Sequence, residues 1–273
     1  MMMRKKNSNI KKRVNGSETL MLTMPELYHA AAGQDISGIM IDALKNGIWP
    51  ENLFRNSSTI TPQEQIVLLK SKIVIVGLGG LGGYLATLAA RAGIGAMNLV
   101  DGDSFSASNL NRQVLCTKRT IGKNKARVAS DVCLSINPAL KTLVWETNFK
   151  KENSVDILEG VDLVIDGLDQ AKTRKLLFAG AISANIPFIH GAVSGWSGQT
   201  ATFMPDHPET MEILYPENIR LPSAPSVLSP VVAIIAGLQI QEAIRLLCGK
   251  SPENFGKLIF YDGVKMEFQK VNL

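Results

Sequence analysis

The chain has 273 residues, of which 45% are hydrophobic and 19% charged, with a net charge of +5. That balance excludes a disordered chain and a membrane bundle, and it supplies enough apolar mass for one sizeable domain plus an appendage. Cys116, Cys133 and Cys248, like His29, His190 and His207, are widely scattered and give neither a C-x-x-C pair nor a metal-ligand spacing.

In chain order, residues 1–20 read as a basic, unstructured tail that carries much of the excess charge, at Arg4, Lys5, Lys6, Lys11, Lys12 and Arg13. No apolar signal-peptide core follows it, so the chain is expected in the cytoplasm. Nothing interleaves aromatic with basic residues, so nucleic acid is not an expected partner, whereas an acidic protein would be steered toward the net positive charge. Residues 21–66 read as an N-terminal helical arm. Pro25 to Leu44 carries apolar residues at helical spacing, Gly47 stops the helix and Trp49-Pro50 begins a turn. Thr61 then reads as an N-cap with Pro62 at the first helical position, opening a helix to about Leu69.

Residues 67–273 alternate strands and helices. Strands are expected over Lys72–Gly77, Met97–Asp101, Thr142–Thr147, Leu163–Asp166 and Phe188–His190, with antiparallel additions at Gln199–Met204, Lys257–Tyr261 and Lys265–Val271. The fold class is therefore α/β: a Rossmann-like, doubly wound, mostly parallel sheet with antiparallel C-terminal strands and the helical arm in front. The longest apolar stretch, Val231 to Leu247, is interrupted by Gln239, Gln241, Glu242 and Arg245, so it reads as a core helix and no membrane span is expected.

The densest chemical signal lies between the first two strands. Ile73 to Val76 runs into Gly77, Gly79, Gly80 and Gly82, where missing side chains let backbone N–H groups approach phosphate at a helix N-terminus. Asp101, closing the next strand, suits ribose hydroxyls, and these residues alone would fit a dinucleotide. Arg112 in Ser-Asn-Leu-Asn-Arg-Gln and Lys125 in Ile-Gly-Lys-Asn-Lys follow directly. A dinucleotide needs neither cation, whereas a triphosphate needs its charge neutralised before a nucleophile reaches the α-phosphorus. Further on, Val-Asp-Leu-Val-Ile-Asp-Gly-Leu-Asp-Gln ends a strand in Asp166 and Asp169, hard oxygen donors suited to magnesium.

These ordered motifs resemble the ThiF/MoeB/HesA family, bacterial relatives of the ubiquitin-activating enzymes, over roughly residues 55–270. The resemblance implies ATP- and magnesium-dependent adenylation of the C-terminal glycine of a small ubiquitin-like sulfur-carrier protein ending in Gly-Gly. Pyrophosphate is released, and the sulfur serves thiamine, molybdopterin or a related product. It implies that Gly77, Gly79, Gly80 and Gly82 line the phosphates and that Asp101 holds the ribose. Ser108, Asn109, Leu110, Asn111 and Arg112 contact the nucleotide, and Lys125 joins Arg112 at the phosphates. The magnesium ligand falls on Asp169, and Gln170 stands where the family has an Asn that makes a secondary contact. Arg55 matches an arginine that reaches into the neighbouring subunit's ATP site, which implies a homodimer.

Many members hold a structural zinc through two C-x-x-C pairs, which these cysteines cannot supply, so no structural zinc is expected. The crossover from Pro205 to Ser229, where relatives carry an acceptor cysteine and cover the carrier tail, contains none. Adenylation without a covalent thioester step is therefore expected. Within the same superfamily, a tRNA-modifying enzyme of the threonylcarbamoyladenosine dehydratase kind and a peptide-adenylating enzyme are alternatives. An NAD-dependent dehydrogenase is the alternative of another class, although it leaves Arg112, Lys125 and Asp169 without roles.

Overall fold

The computed structural model describes residues 10–14, 17–33, 35–206, 211–216, 226–253 and 255–273. Its centre is an eight-stranded sheet. The parallel part comprises β4 (Lys72–Val76), β5 (Ala96–Val100), β6 (Lys141–Trp145), β7 (Leu163–Asp166) and β8 (Phe188–Ser194). The antiparallel part comprises β9 (Ser197–Phe203), β10 (Lys257–Asp262) and β11 (Glu267–Asn272). The strand order is β11-β10-β9-β8-β7-β4-β5-β6, with β6, β5, β4, β7 and β8 parallel and the rest added antiparallel. This is the doubly wound, mostly parallel sheet that the alternation of elements predicts. β4 and β7 are continuous apolar runs because both their faces are covered. β11 is an edge strand, exposed along its whole length, and it carries Glu267 and Lys270.

Helices cover both faces. On one, α4 (Gly80–Ala92), α5 (Lys125–Ile136) and α8 (Ser229–Leu247) bury a core that includes Ile73, Ile75, Leu85, Leu99, Val232 and Ile235. On the other, α6 (Ser154–Leu158) and α7 (Ala171–Ser183) pack over Val74, Val164, Phe188 and Phe203, joined by Met211 and Tyr215. Among the described residues α8 is the one helix long and apolar enough to cross a membrane. Here it packs against α4 and β8 as a core element, as its interrupting polar residues suggest.

The chain reverses direction across the sheet at β4, which has β5 on one side and β7 on the other. Ligands of such sheets sit at the carboxyl ends of the strands at this switch point. There Gly77 adopts φ +85, and a Cβ on Gly82 would lie 1.8 Å from the Gly77 carbonyl oxygen, so α4 closes onto the turn only with glycine at both places. Gly82→Ala is expected to cost about 1–3 kcal/mol through forced backbone displacement. It should lower the melting temperature by several degrees, and an unchanged melt would mean that the turn relaxes freely.

The N-terminal segment departs from expectation. β1 (Ile10–Val14) and β2 (Ser17–Leu22) pair antiparallel, from Ile10 against Met21 to Val14 against Ser17, where an unstructured tail was expected. Met21 and Leu22 are buried in a small separate core, and this anchors β2. Residues 1–9, with Arg4, Lys5 and Lys6, lie outside the described residues. The single helix expected over Pro25–Leu44 is instead α1 (Met24–Ala31), opened by a Thr23–Glu26 capping box, and α2 (Ile36–Lys45). They are separated at Gly33, which has φ +86.

Trp49-Pro50 does not begin a turn but belongs to β3 (Ile48–Pro50), parallel to β2. Trp49 is driven into strand pairing by burial, at 3% exposure, beside Leu27, Met40 and Leu44. α3 (Pro62–Lys70) opens with the expected Thr61 cap and spans the position between residues 66 and 67 where arm and main domain were expected to meet. Leu69 and Ala139 complete the arm's core, so the two parts share packing.

Candidate nucleotide site

A cleft of about 1050 Å³ opens at the carboxyl ends of β4, β5 and β7. Gly77, Gly79 and Gly80 line it, with Gly79 in the N-cap position and Gly80 opening α4. Gly82 does not line it and instead packs against Gly77 from behind. Asp101 follows β5 directly, and its carboxylate ties the site together: Oδ2 accepts from the Leu78 N–H at 2.6 Å and Oδ1 from the Asp103 N–H at 2.8 Å. Burial pushes its pKa up, partly offset by those N–H groups and by Lys125. Each oxygen keeps a further lone pair for a ligand hydroxyl.

Lys125 and Arg112 share the cleft with Asp101. Lys125 is the first residue of α5; its side chain is only 10% exposed and its ammonium lies 3.1 Å from Asp103 Oδ2. Arg112 is half-buried and donates from Nη1 to the Ser108 carbonyl at 2.9 Å and to Asn111 Oδ1 at 3.0 Å. Ser108, Asn109, Leu110 and Asn111 do not line the cleft. Asn109 is buried and accepts from the Ser106 N–H, and Leu110 points to solvent at 46% exposure. This segment therefore builds the turn that presents Arg112 and Gln113. Asp169 and Gln170 line the opposite wall, exposed on the loop between β7 and α7. Arg55 is exposed on the 3-10 turn Glu51–Asn56 and does not reach the cleft of its own chain.

Several lining residues were not legible from motif spacing. Asp103 pairs with Lys125, and Gln113 is buried with its Oε1 unpartnered within the protein. Arg174 and Tyr215 belong to a buried polar cluster. Gln113 sits in the Asn-Arg-Gln run and was within reach of the sequence. Arg174 and Tyr215 stand 41 positions apart and meet only through the fold.

Asp166, fully buried, does not face the cleft as a ligand. Its Oδ2 accepts from Arg174 Nε at 2.5 Å and contacts His190 Nδ1 at 2.9 Å. Its Oδ1 caps the loop by accepting from the Leu168 N–H at 2.9 Å. Burial alone would raise the Asp166 pKa, but Arg174 and His190 hold the carboxyl below its usual range. Burial pushes the His190 pKa down, Arg174 adds to this, and the Asp166 contact opposes it. Both groups bind fewer protons when folded than when unfolded, so acid removes stability. The His190 contribution is complete above about pH 6.5 and is lost as pH falls through the folded value; Asp166 adds a second loss below about pH 4. Melting temperatures measured from pH 8 to 3 should therefore fall in two stages, and His190→Gln should remove the first. A wild-type profile flat between pH 7 and 5 would contradict this.

None of the three cysteines lines the cleft: Cys116 donates to the Ser106 carbonyl, the buried Cys133 has its pKa pushed up to about 12, and Cys248 lies against Glu64. His29 is exposed and His207 lies outside the described residues. Among the described residues no group of three His, Cys, Asp or Glu side chains converges on a point. The donor set nevertheless fits a magnesium nucleotide. Magnesium keeps most of its waters and takes one or two carboxylates plus phosphate oxygens, which asks for Asp169 and not for a protein cage. The amides opening α4, with Arg112 and Lys125, suit the phosphates.

Residues 53–273 match the ThiF family model. Among curated proteins, the chain is 32% identical to the "Probable adenylyltransferase/sulfurtransferase MoeZ" of Mycobacterium tuberculosis, over 76% of this chain and 55% of that protein. It is also 32% identical to the molybdopterin-synthase adenylyltransferase of Escherichia coli K12, over 77% of this chain and 86% of that protein. The chain thus spans little more than half the length of the first and most of the second. Among solved structures, E. coli MccB aligns with a TM-score of 0.72 at 22% identity, over 81% of this chain and 69% of that one, a likeness of fold. With the family model covering the sheet, the glycine turn and both walls of the cleft, the chain belongs to the ThiF family.

Proposed function

We propose that this protein uses ATP and magnesium to adenylate the C-terminal glycine of a small ubiquitin-like sulfur-carrier protein ending in Gly-Gly, releasing pyrophosphate. The observation that carries the reading is the convergence of Gly77, Gly79, Gly80, Asp101, Arg112, Lys125 and Asp169 on one cleft. Relatives described as adenylyltransferases support it, one of them named for a protein, molybdopterin synthase, and another also as a sulfurtransferase. A dinucleotide would leave the two cations and Asp169 without work.

The chemistry follows from charge. The acceptor carboxylate is already ionised at neutral pH, so its attack on the α-phosphorus needs no base. A carboxylate oxygen–phosphorus bond forms, the bond from the α-phosphorus to the bridging oxygen breaks, and the electron pair leaves on pyrophosphate. Catalysis is then positioning plus charge stabilisation. Asp101 fixes the ribose, the α4 amides orient the phosphates, and Arg112 and Lys125 stabilise charge developing on the leaving group. Asp169 would hold magnesium, which supplies further neutralisation of the phosphates when bound. Arg55 of a second copy would complete the site in a homodimer.

The test is magnesium-dependent exchange of labelled pyrophosphate into ATP in the presence of a Gly-Gly-ending carrier. Absence of exchange with every carrier encoded in the source genome would remove the proposal.

A further inference from the structure

Arg174 is 2% exposed, yet it spans the cleft's two walls. Nε donates to Asp166, Nη1 to the Tyr215 hydroxyl at 2.9 Å, and Nη2 to the Gly191 carbonyl at 3.1 Å and to the Leu168 carbonyl. The guanidinium also lies over the Tyr215 ring, 5.0 Å from its centroid. Leu168, directly before Asp169, is held at both backbone groups, its N–H by Asp166 and its carbonyl by Arg174. Tyr215, Leu214 and Gln199 belong to the wall built by β8, β9 and the segment Met211–Pro216. A planar fork with fixed donors transmits a displacement at one acceptor to the others, because each buried N–H that loses its partner is costly.

We propose that Arg174 is a positioning residue that couples the Tyr215 wall of the cleft to the Asp169 loop, so that the order of the Tyr215 wall sets the carboxylate that would hold magnesium. The coupling rests on the magnesium-nucleotide reading of the site. A salt bridge serving only the core would need Asp166 alone. Here the fork also engages one backbone carbonyl from the loop, one from β8 and a hydroxyl from the far wall. By reciprocity, whatever loosens Tyr215 must weaken magnesium, and magnesium must favour the ordered Tyr215 wall.

The test uses the 273-residue chain, a non-hydrolysable ATP analogue and titrated magnesium chloride, with binding followed by calorimetry. Tyr215→Phe keeps the buried ring and removes one hydroxyl. Arg174→Lys keeps the charge beside Asp166 and removes the fork. In both variants the magnesium concentration that half-saturates tightening of the nucleotide should rise roughly tenfold, the scale of one lost hydrogen bond to a charged group. Magnesium-free affinity for the analogue should change by less than about twofold. Equal losses with and without magnesium would mark a merely structural role and overturn the coupling, as would magnesium titrations identical to wild type. A wild-type protein whose nucleotide affinity ignores magnesium would instead bring down the functional reading itself.

Discussion

Lys125→Ala is expected to slow pyrophosphate exchange by roughly a hundredfold or more, the loss typical of one preorganised group aimed at developing charge. The ammonium is the first side chain of α5 and is nearly enclosed. Because its proposed role is to stabilise charge that grows as pyrophosphate leaves, the loss should fall mainly on kcat, with a smaller rise in KM for ATP. Folding should survive, since the abandoned partner Asp103 has a side chain 68% exposed and can be hydrated. Arg112→Ala should act in the same direction. Exchange within about threefold of wild type in a folded Lys125→Ala protein would leave this lysine only a structural partner of Asp103.

The second large effect concerns Arg55. Alone, Arg55→Ala and Asp169→Ala should each abolish most of the exchange. Mixed in equal amounts and allowed to exchange subunits, they should recover activity, because one of the two sites in a mixed dimer combines an intact Asp169 with an intact Arg55 from the other chain. Random assortment in a two-fold dimer makes half the dimers mixed, so about a quarter of all sites are complete. Recovery near that fraction, tracked against demonstrated subunit exchange, would identify a shared site. No recovery despite exchange would leave Arg55 on the surface of the arm.

What the sequence carried most clearly was the parallel sheet. Strands such as β4 and β7 are buried on both faces, so their apolar runs, with glycine and aspartate at the ends, locate them within a residue or two. The arm was harder to read. Ile10–Val14 is dominated by charge and resembles a solvated tail, and only pairing with Ser17–Leu22, itself held by Met21 and Leu22, makes it a strand. In the site, the main-chain features that act locally were legible, including the glycine turn and Asp101. Residues 108–111 illustrate the limit: their identity marks the motif, but backbone geometry turns them toward shaping the loop and leaves Arg112 and Gln113 to face the cleft. The Asp166–Arg174–His190–Tyr215 cluster draws on β7, α7, β8 and the segment after β9, and no periodicity in one chain announces such a meeting.

The contact between Lys125 and Asp103 also bears on turnover. Asp103 is a counterion to Lys125, so on the proposed reading an incoming phosphate competes with a carboxylate for the ammonium. Such competition would favour the anion of greater charge, a triphosphate over a monophosphate. On that reading the same carboxylate, its side chain 68% exposed, can pair with the ammonium again when pyrophosphate leaves.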